Sequence, residues 1–554
     1  MSFRLAPRYR GCVPTHDVFN QPPPLEGYDV FGADAALADG VAREGAANVV
    51  DELHELGRLA GSPDAIRWGF AANASPPVLR THDRYGNRID EVEYHPAYHE
   101  LMRVAVGYGL HAAPWVDDRA GAHVSRAARF FVWSQVEAGH GCPISMTYAV
   151  VPALRADTTL SAEWLPRLTS REYDPSTRPA AAKLGALAGM AMTEKQGGSD
   201  VRANTSRATP AGDGVYRLTG HKWFCSAPAS DMFLMLAQAP GGLSCFLVPR
   251  FTPDDARNPI RIQRLKDKLG NRSNASGEIE FEDAWGHLVG DEGRGVRTII
   301  EMVNHTRLDC VIGAASTLRQ AVAQATHHCA YRNTFGHALV EQPLMTNVLA
   351  DLAIESEAAT ILMLRLARAY DARGDEHEAA FRRLATAIGK YWVNKRLPHA
   401  VGEALECLGG NGFVEESMMP RLFRESPLNG IWEGSGNVMC LDVLRAMARE
   451  PESVEAFRAE LALVSGVDAR FDAARRALDA ELTDLDAIEH RARRLVERMA
   501  LLLQGSLVLR HAHPAVADAF CASRLGRDQG LAFGTLPRGV DVRSIVERAH
   551  PKIP

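Results

Sequence analysis

A single carboxylate late in the chain stands in an apolar and glycine-rich setting. Glu433 lies in the run Ile431–Asn437, which reads IWEGSGN. A carboxylate beside tryptophan and isoleucine is rare in proteins unless it is paired with another group or used in chemistry. Burial would raise its pKa and suit it to act as a general acid or base. The other interpretation is a glutamate that caps a helix at a glycine break, and the local residues favour neither.

Two earlier runs contain groups that could hold a planar cofactor. Residues 192–200 read MTEKQGGSD, and residues 220–226 read GHKWFCS. Glycines let backbone N–H groups approach a ligand closely, hydroxyls can flank it, and aromatic rings can cover it. The first run alone favours a simple turn that leads into a strand, and aromatic residues at a strand end usually belong to the core. The two runs together favour a cofactor site.

A third group of residues indicates a diphosphate site between two helices. Residues 407–413 read CLGGNGF, and three glycines in such a place allow close backbone approach to an anion. Arg332, Phe335 and Gln342 lie upstream at a predicted helix boundary. An isolated arginine there usually belongs to a solvated face, so these residues alone are weak evidence for nucleotide contact.

Composition limits the classes of function. The chain has 554 residues, 46% of them hydrophobic, which is enough for several cores. Its net charge of -6 gives no overall attraction to nucleic acid or to an anionic membrane. The nine cysteines have neither C-x-x-C nor zinc spacing, so we predict no metal site and a cytoplasmic protein. Every apolar run is too short to span a bilayer, and we expect no membrane partner.

Hydrophobic periodicity divides the chain into helical and β parts. We predict an α+β, mainly α fold with helices over 1–187 and a small antiparallel β domain over 188–290. The helical period returns over 291–446, and a further helical module covers 447–554. The glutamate and the glycine-rich run before it therefore belong to helices, whereas the two earlier runs lie at the edge of the β domain.

These motifs, taken together and in this order, resemble the acyl-CoA dehydrogenase superfamily over about residues 185–445. The family fold has an N-terminal helical domain, a middle β domain and a C-terminal four-helix domain. The runs 192–201, 264–275 and 431–437 look closer still to the alkylation-response AidB branch of that superfamily. The length of the chain and its extra C-terminal segment extend this resemblance over nearly the whole sequence.

The resemblance implies roles for individual residues. Glu433 would remove the α-proton of an acyl-CoA thioester while a hydride leaves the β-carbon for FAD, and Arg307 would contact the substrate. Thr306 stands where some family members carry the base instead. The implied flavin contacts are Met192, Thr193, Ser199, Phe224, Ser226, Trp432, Gly434, Ser435 and Asn437. The implied adenine and diphosphate contacts are Arg332, Phe335, Gln342, Gly409, Gly410 and Gly412.

In the family those adenine and diphosphate groups come from a neighbouring subunit, so the resemblance implies a homo-oligomer, expected to be a tetramer. Two departures alter the predicted pocket. Phe224 stands where the family has tryptophan, with Trp223 one place earlier, and Lys195-Gln196 replaces the family's Pro-Gly.

In the AidB branch the C-terminal module is associated with binding of double-stranded DNA. Residues 451–554 contain 15 basic and 15 acidic residues, which is weaker than a DNA-binding domain should show. The other interpretation is that the arginines lie along an apolar helical stripe and extend to solvent. The candidate DNA contacts are Arg491, Arg494, Arg498, Arg510, Arg524 and Arg527.

Three functional hypotheses follow. The first is an FAD enzyme that dehydrogenates an acyl-CoA. The second is a flavoprotein that binds DNA and protects it against alkylating agents. The third is an oxidase of the same fold that acts on a small substrate and passes electrons to oxygen, which steady release of hydrogen peroxide would identify.

Overall fold

The N-terminal part of the chain is a helical layer with one hairpin. The computed structural model describes residues 15–117, 119–372, 374–484, 486–526 and 530–552. Asp34, Ser62 and Asp157 cap their helices by accepting a hydrogen bond from a first-turn N–H. The elements are α1 Ala35–Arg43, α2 Val50–Ala60, α3 Pro63–Ala74, β1 Val78–His82, β2 Arg88–Glu93, α4 Pro96–Gly107, α5 Ala113–Val116, α6 Ala122–Ser134, α7 Gly141–Leu154 and α8 Thr158–Leu168.

The hairpin of β1 and β2 is a β element within the part of the chain that the sequence predicts as mostly helical. Strand β1 alternates between exposed and half-buried residues, whereas β2 is mostly half-buried and buries Asp90, so neither strand shows the apolar alternation of a core strand. Helix α6 shows the opposite pattern, because all of its residues are buried between neighbouring helices.

The middle of the chain is a seven-stranded sheet. Its strands are β3 Ala188–Ala191, β4 Arg207–Gly212, β5 Val215–Ser226, β6 Met232–Ala239, β7 Gly242–Pro249, β8 Ile260–Leu265 and β9 Ser276–Leu288. The order is β3-β6-β4-β5-β9-β7, with β8 on β9, and β6 also pairs with β7. The path therefore returns to β6 and closes the sheet. Most pairs are antiparallel as predicted, whereas β3 and β4 each pair with β6 in parallel.

Three long helices form the centre of the next part, which positions Glu433. They are α9 Gly295–Tyr331, α10 Pro343–Asp371 and α11 Glu376–Cys407, and they pack on one another. The short hairpin of β10 Asn333–Thr334 and β11 His337–Ala338 joins the first two. The shorter helices α12 Met419–Glu425 and α13 Gly436–Arg449 follow.

The C-terminal module packs on these helices and shares their core. Its helices are α14 Pro451–Ala462, α15 Ala469–Thr483, α16 Ile488–His511, α17 Pro514–Phe520 and α18 Val542–Ala549, with a π-helical turn over Cys521–Leu525. Buried residues of α14 and α16 belong to the same hydrophobic cluster as those of α10 and α11. Buried ion pairs of Arg365 with Glu460 and of Arg524 with Asp351 and Glu355 link the module to α10. None of the helices in the described part of the chain combines the length and apolar character that a membrane crossing requires.

Candidate functional site

Glu433 occupies a tight connection between two helical segments. It follows the 3-10 turn Leu428–Gly430 and precedes α13, and its φ of 57° lies in the left-handed region. For an L-residue other than glycine that conformation costs roughly 1–2 kcal/mol. Such a residue persists only where its surroundings hold it, so the contacts of this turn decide where the carboxylate lies.

Two buried cations hold the main chain of this turn. The Lys390 Nζ donates to the carbonyl oxygen of Trp432 at 2.6 Å and also to that of Gly434. The Arg307 Nε donates to the intervening carbonyl of Glu433 at 3.1 Å. Three consecutive carbonyl groups thus receive charged donors, which make stronger hydrogen bonds than neutral ones. The turn is therefore fixed from two different helices, α11 and α9.

The carboxylate itself has one hydroxyl partner. The Thr306 Oγ1 lies 2.7 Å from Glu433 Oε2 and 2.9 Å from the carbonyl oxygen of Val303. Burial raises the pKa of Glu433 above its ordinary value. The hydrogen bond from Thr306 and then the charges of Lys390 and Arg307 oppose this rise. A half-buried carboxylate with a raised pKa has the proton affinity that a general base needs.

Arg307 makes hydrogen bonds through both Nε and Nη1. Besides the carbonyl of Glu433, it forms an ion pair with Asp442, Nη1 to Oδ2 at 3.0 Å, and Asp442 also binds Arg383 at 3.2 Å. This network lies on α9, α11 and α13. In the structure Arg307 positions the turn, and its predicted contact with substrate stays a prediction.

The loop after β3 is anchored by a buried ion pair. The carboxylate of Glu194 accepts from Lys222 Nζ at 2.9 Å and from the N–H groups of Thr205 and Ser206, and neither charged side chain is exposed. These partners outweigh burial and hold the pKa of Glu194 well below its usual range. The loop is therefore rigid at its start, while Gly197 to Ser199 are exposed.

The predicted flavin-contacting residues lie on two sides of one region. Met192 and Trp432 pack against the same hydrophobic cluster, which includes Cys142. Burial raises the pKa of the Cys142 thiol to about 11; the neighbouring Ser226 opposes the rise and the charge of Glu433 adds to it. The thiol of Cys142 thus lies within electrostatic reach of both the end of β5 and the Glu433 turn.

Phe224 is not a core residue. Its side chain is 60% exposed at the end of β5, and Lys266 Nζ lies 4.7 Å from its ring and 3.3 Å from the ring of Trp223. An exposed aromatic ring beside a cation is suited to contact an electron-rich planar group. The alternative that these aromatic residues belong to the core is therefore wrong for Phe224.

The residues predicted to hold adenine and diphosphate gather at the other end of the helices. Arg332 Nη1 donates to the carbonyl of Asn20 at 2.5 Å, and Asn411 Nδ2 donates to Gln21 Oε1 at 3.3 Å. One short N-terminal segment therefore bridges the hairpin after α9 and the glycine run after α11. Gln342, which precedes α10, donates from Nε2 to the carbonyl of Thr334 in the hairpin at 3.1 Å.

This second group presents open backbone and an exposed ring. Phe335 is 94% exposed and has a φ of 53°. Gly409 has a φ of 59°, and no described atom lies within 4 Å of the Cβ position at Gly409 or Gly410. Gly412 is required for packing, because a Cβ there would lie 2.4 Å from the carbonyl oxygen of Leu405.

One chain does not bring the two groups of residues together. Cys407, next to the glycine run, follows Lys390 by 17 residues on α11. At 1.5 Å per residue this separates the run from the Glu433 turn by about 26 Å. The described residues thus form two separate half-sites within one chain.

Three family models match consecutive parts of the chain. They are the adaptive response protein AidB N-terminal domain over 20–175, the acyl-CoA dehydrogenase middle domain over 189–284 and the acyl-CoA dehydrogenase C-terminal domain over 293–448. The putative acyl-CoA dehydrogenase AidB of Escherichia coli is 47% identical over 93% of this chain and 96% of its own length. This chain belongs to the acyl-CoA dehydrogenase family. Within that family it belongs to the AidB branch.

Solved structures agree with this assignment. The Caenorhabditis elegans acyl-CoA dehydrogenase ACDH-11, in complex with C11-CoA, is 26% identical, with a TM-score of 0.83 over 93% of this chain and 92% of that one. The Bacillus anthracis acyl-CoA dehydrogenase complexed with FAD is 20% identical, with a TM-score of 0.62 over 77% of this chain and 80% of that one, and shows the fold alone. The predicted fold is confirmed. The family binds FAD and oxidises CH–CH bonds, which confirms the predicted cofactor and enzyme class.

The arginines predicted to contact DNA are mostly engaged inside this acyl-CoA dehydrogenase. Arg510 binds Glu460, and Arg524 binds Asp351 and Glu355, so both already have partners within the chain, and their contact with DNA stays a prediction. Arg491, Arg494 and Arg498 surround one carboxylate, that of Glu481. Arg527 lies outside the described residues.

Sequence reasoning missed the groups that hold the turn of Glu433. Lys390 was not singled out, although it stands in the apolar run Ala385–Val393, where a buried lysine needs partners. Glu194 and Lys222 were quoted within motifs but not recognised as a pair. Their pairing depends on the closure of the β sheet, which no local pattern shows.

Proposed function

We propose that this protein is an FAD-dependent acyl-CoA dehydrogenase in which Glu433 removes the α-proton of a CoA thioester. The observation that carries the proposal is the fixed turn, which holds one partly buried carboxylate within electrostatic reach of Cys142, the neighbour of Ser226. When bound, FAD would supply the acceptor for the hydride that leaves the β-carbon.

The residues on both half-sites fit this cofactor. Phe224 offers an exposed ring, and Gly197 to Ser199 offer open backbone and a hydroxyl. Phe335 and the glycine run would hold adenine and diphosphate, and the buried Thr334 Oγ1 has no hydrogen-bond partner among the described residues. Open glycine backbone suits an anion such as a diphosphate.

The protein's part in the reaction is to orient one carboxylate and control its proton. Lys390 and Arg307 keep the turn in place, so Glu433 does not reorganise when it accepts the proton. The hydroxyl of Thr306 has one hydrogen and two acceptors in reach. It can donate to the carboxylate before proton abstraction and to the carbonyl of Val303 afterwards.

We propose that a complete site needs a second copy of this chain. The two half-sites lie too far apart on α11 for one chain to complete one site. Phe335, Leu344 and Phe413 are 94%, 84% and 79% exposed at the end that carries the adenine half-site. Large exposed apolar side chains in one area are typical of an interface. A homotetramer, as the resemblance implies, would join the half-sites.

DNA binding stays a prediction from the sequence and is not part of this proposal. Four of the five described candidate arginines have at least 60% of their side-chain surface covered. Arg494 is the exception, with 67% of its side chain exposed, 3.9 Å from Glu481. One exposed cation is too little for the phosphate contacts on which DNA affinity depends.

The proposal is tested with the Glu433→Gln variant. We expect it to keep its yellow colour and to lose anaerobic bleaching of the flavin by acyl-CoA, which the wild type shows. Bleaching at the wild-type rate would refute Glu433 as the base. Hydrogen peroxide released in proportion to turnover in air would favour the oxidase alternative over a dehydrogenase that needs another acceptor.

A further inference from the structure

A group of buried polar side chains lies around the main chain that enters α7 and has no assigned role. It comprises Glu137, Ser273, Asn274 and Arg421, each at least nine-tenths buried. Five of their polar atoms have no hydrogen-bond partner among the described residues: Glu137 Oε1, Ser273 Oγ, Asn274 Nδ2, Asn274 Oδ1 and Arg421 Nη1. Buried polar groups are nearly always satisfied, so five unpartnered atoms in one place indicate a missing polar partner.

These side chains surround one place in the fold. A Cβ at Gly139 would lie 2.1 Å from Ser273 Oγ and 3.0 Å from Glu137 Oε1, so both atoms face the main chain that enters α7. On the other side Arg421 Nη2 donates to the carbonyl of Val136 at 2.8 Å, which places its free Nη1 near the same segment. We call these four side chains the polar pocket.

The polar pocket adjoins the region of Glu433. Asn274 and Ser226 lie beside the thiol of Cys142, whose pKa responds to the charges of both Lys268 and Glu433. Cys142 is the second residue of α7, two residues after His140, whose N–H donates to the other oxygen of Glu137 at 3.0 Å. A chain that extends from the base past Cys142 would reach these unpartnered atoms.

We propose that the polar pocket binds a hydroxyl or amide group on the acyl chain of the substrate, so that the substrate is an acyl-CoA with a neutral polar substituent. This inference rests on the proposed function. The pocket offers donors from Asn274 and Arg421, acceptors from Asn274 and Glu137, and a hydroxyl that can do either. A neutral substituent that both donates and accepts hydrogen bonds can pair with these donors and acceptors.

The charges argue against two other kinds of chain. An alkyl chain would leave all five atoms unpartnered, which is costly in a buried site. A terminal carboxylate would meet the carboxylate of Glu137, whose charge already balances the cation of Arg421 and adds to the rise that burial causes in the pKa of the neighbouring Glu425. Like charges at close range disfavour a second anion.

The experiment measures binding and turnover separately. Dissociation constants for hexanoyl-CoA, 6-hydroxyhexanoyl-CoA and adipoyl-CoA, with the four- and eight-carbon counterparts, are determined by calorimetry on the Glu433→Gln holoprotein. We expect the hydroxyacyl-CoA of one chain length to bind about tenfold or more tightly than its alkyl counterpart. Equal affinities at every length, or tightest binding of the dicarboxylic thioester, would overturn the proposal.

Variants assign the effect to the pocket. Ser273→Ala and Asn274→Leu should reduce the preference for the hydroxyl to about threefold or less. Ser356→Ala is the matched control, because Ser356 is also buried with an unpartnered hydroxyl but lies on α10, away from the pocket. If both pocket variants still bind the hydroxyacyl-CoA more tightly than its alkyl counterpart, the hydroxyl is recognised by other residues.

Turnover distinguishes the two proposals. Anaerobic bleaching of the wild-type flavin by any of these thioesters supports the dehydrogenase, whichever tail is preferred. Selective binding without bleaching would support hydroxyl recognition by the polar pocket and refute the dehydrogenase reaction. Bleaching without selectivity would support the reaction and refute the recognition.

Discussion

The hydroxyl of Thr306 lies 2.7 Å from the carboxylate of Glu433, although the two residues stand on different segments of the chain. The resemblance implies that some family members carry the base at the position of Thr306, and here Thr306 contacts Glu433, the proposed base. A residue at that position can therefore tune the proton affinity of Glu433 without abstracting a proton itself.

The first prediction concerns the pH dependence of turnover. Thr306→Val removes a hydrogen bond that favours the ionised carboxylate, so the pKa of Glu433 should rise further. Because the base must be ionised, the acidic limb of the kcat/KM profile should move to higher pH. Thr306→Ser retains the hydroxyl and should restore the wild-type profile. Identical profiles for the valine variant and the wild type would show that the hydrogen bond does not act on the base.

The second prediction concerns the main chain of the turn. Lys390→Met leaves the carbonyls of Trp432 and Gly434 without their donor, at a cost of about 1–3 kcal/mol for each buried group left unpaired. We expect a lower Tm and a kcat reduced at least about tenfold, because the left-handed Glu433 loses its support. The exposed Lys395→Met on the same helix is the control. A Lys390→Met enzyme with normal kcat would mean that the turn keeps its conformation without the hydrogen bonds from Lys390.

Local sequence was sufficient for the order of the helical and β parts, which period-3.6 and period-2 patterns separated. The run IWEGSGN drew attention to Glu433 because a carboxylate in apolar surroundings is unusual, and its role as the base stays a prediction. The β1–β2 hairpin escaped prediction because its strands are polar and half exposed. Lys390 escaped because its carbonyl partners lie more than 40 residues away in sequence.

The charged residues of the C-terminal module could not be assigned from local sequence either. Arginines spaced along a helix look alike in sequence whether they face solvent or a buried carboxylate. Arg524 and its partners Asp351 and Glu355 are about 170 residues apart, so only the packing of the module on α10 reveals the pair.

The third prediction follows from that pairing. Arg524→Ala leaves Asp351 and Glu355 buried with less compensation, which typically costs about 3–5 kcal/mol. Arg494→Ala removes an exposed side chain and should change the free energy of unfolding by less than about 0.5 kcal/mol. Chemical denaturation of both variants checks this. Equal stability of the two would show that Arg524 is not a structural link.

The same two variants bear on DNA. If retention of duplex DNA at low salt is lost in Arg494→Ala but kept in Arg524→Ala, the exposed surface around Glu481 binds it. If both variants retain DNA as well as the wild type, we expect the contact to lie outside these arginines.

The last prediction concerns the pH dependence of stability at Glu425. Burial and then the charge of Glu137 raise the pKa of Glu425 to about 7, so the folded state holds a proton that the unfolded state releases near its ordinary pKa. Stability contributed by this group is present below the unfolded pKa and is lost as pH rises towards about 7, at about 1.4 kcal/mol per pH unit. We expect the free energy of unfolding of Glu425→Gln, measured by denaturant at pH 5.5 and 7.5, to fall less than that of the wild type. Exposed Glu416→Gln should follow the wild type, and an equal fall in all three proteins would assign the pH dependence to other groups.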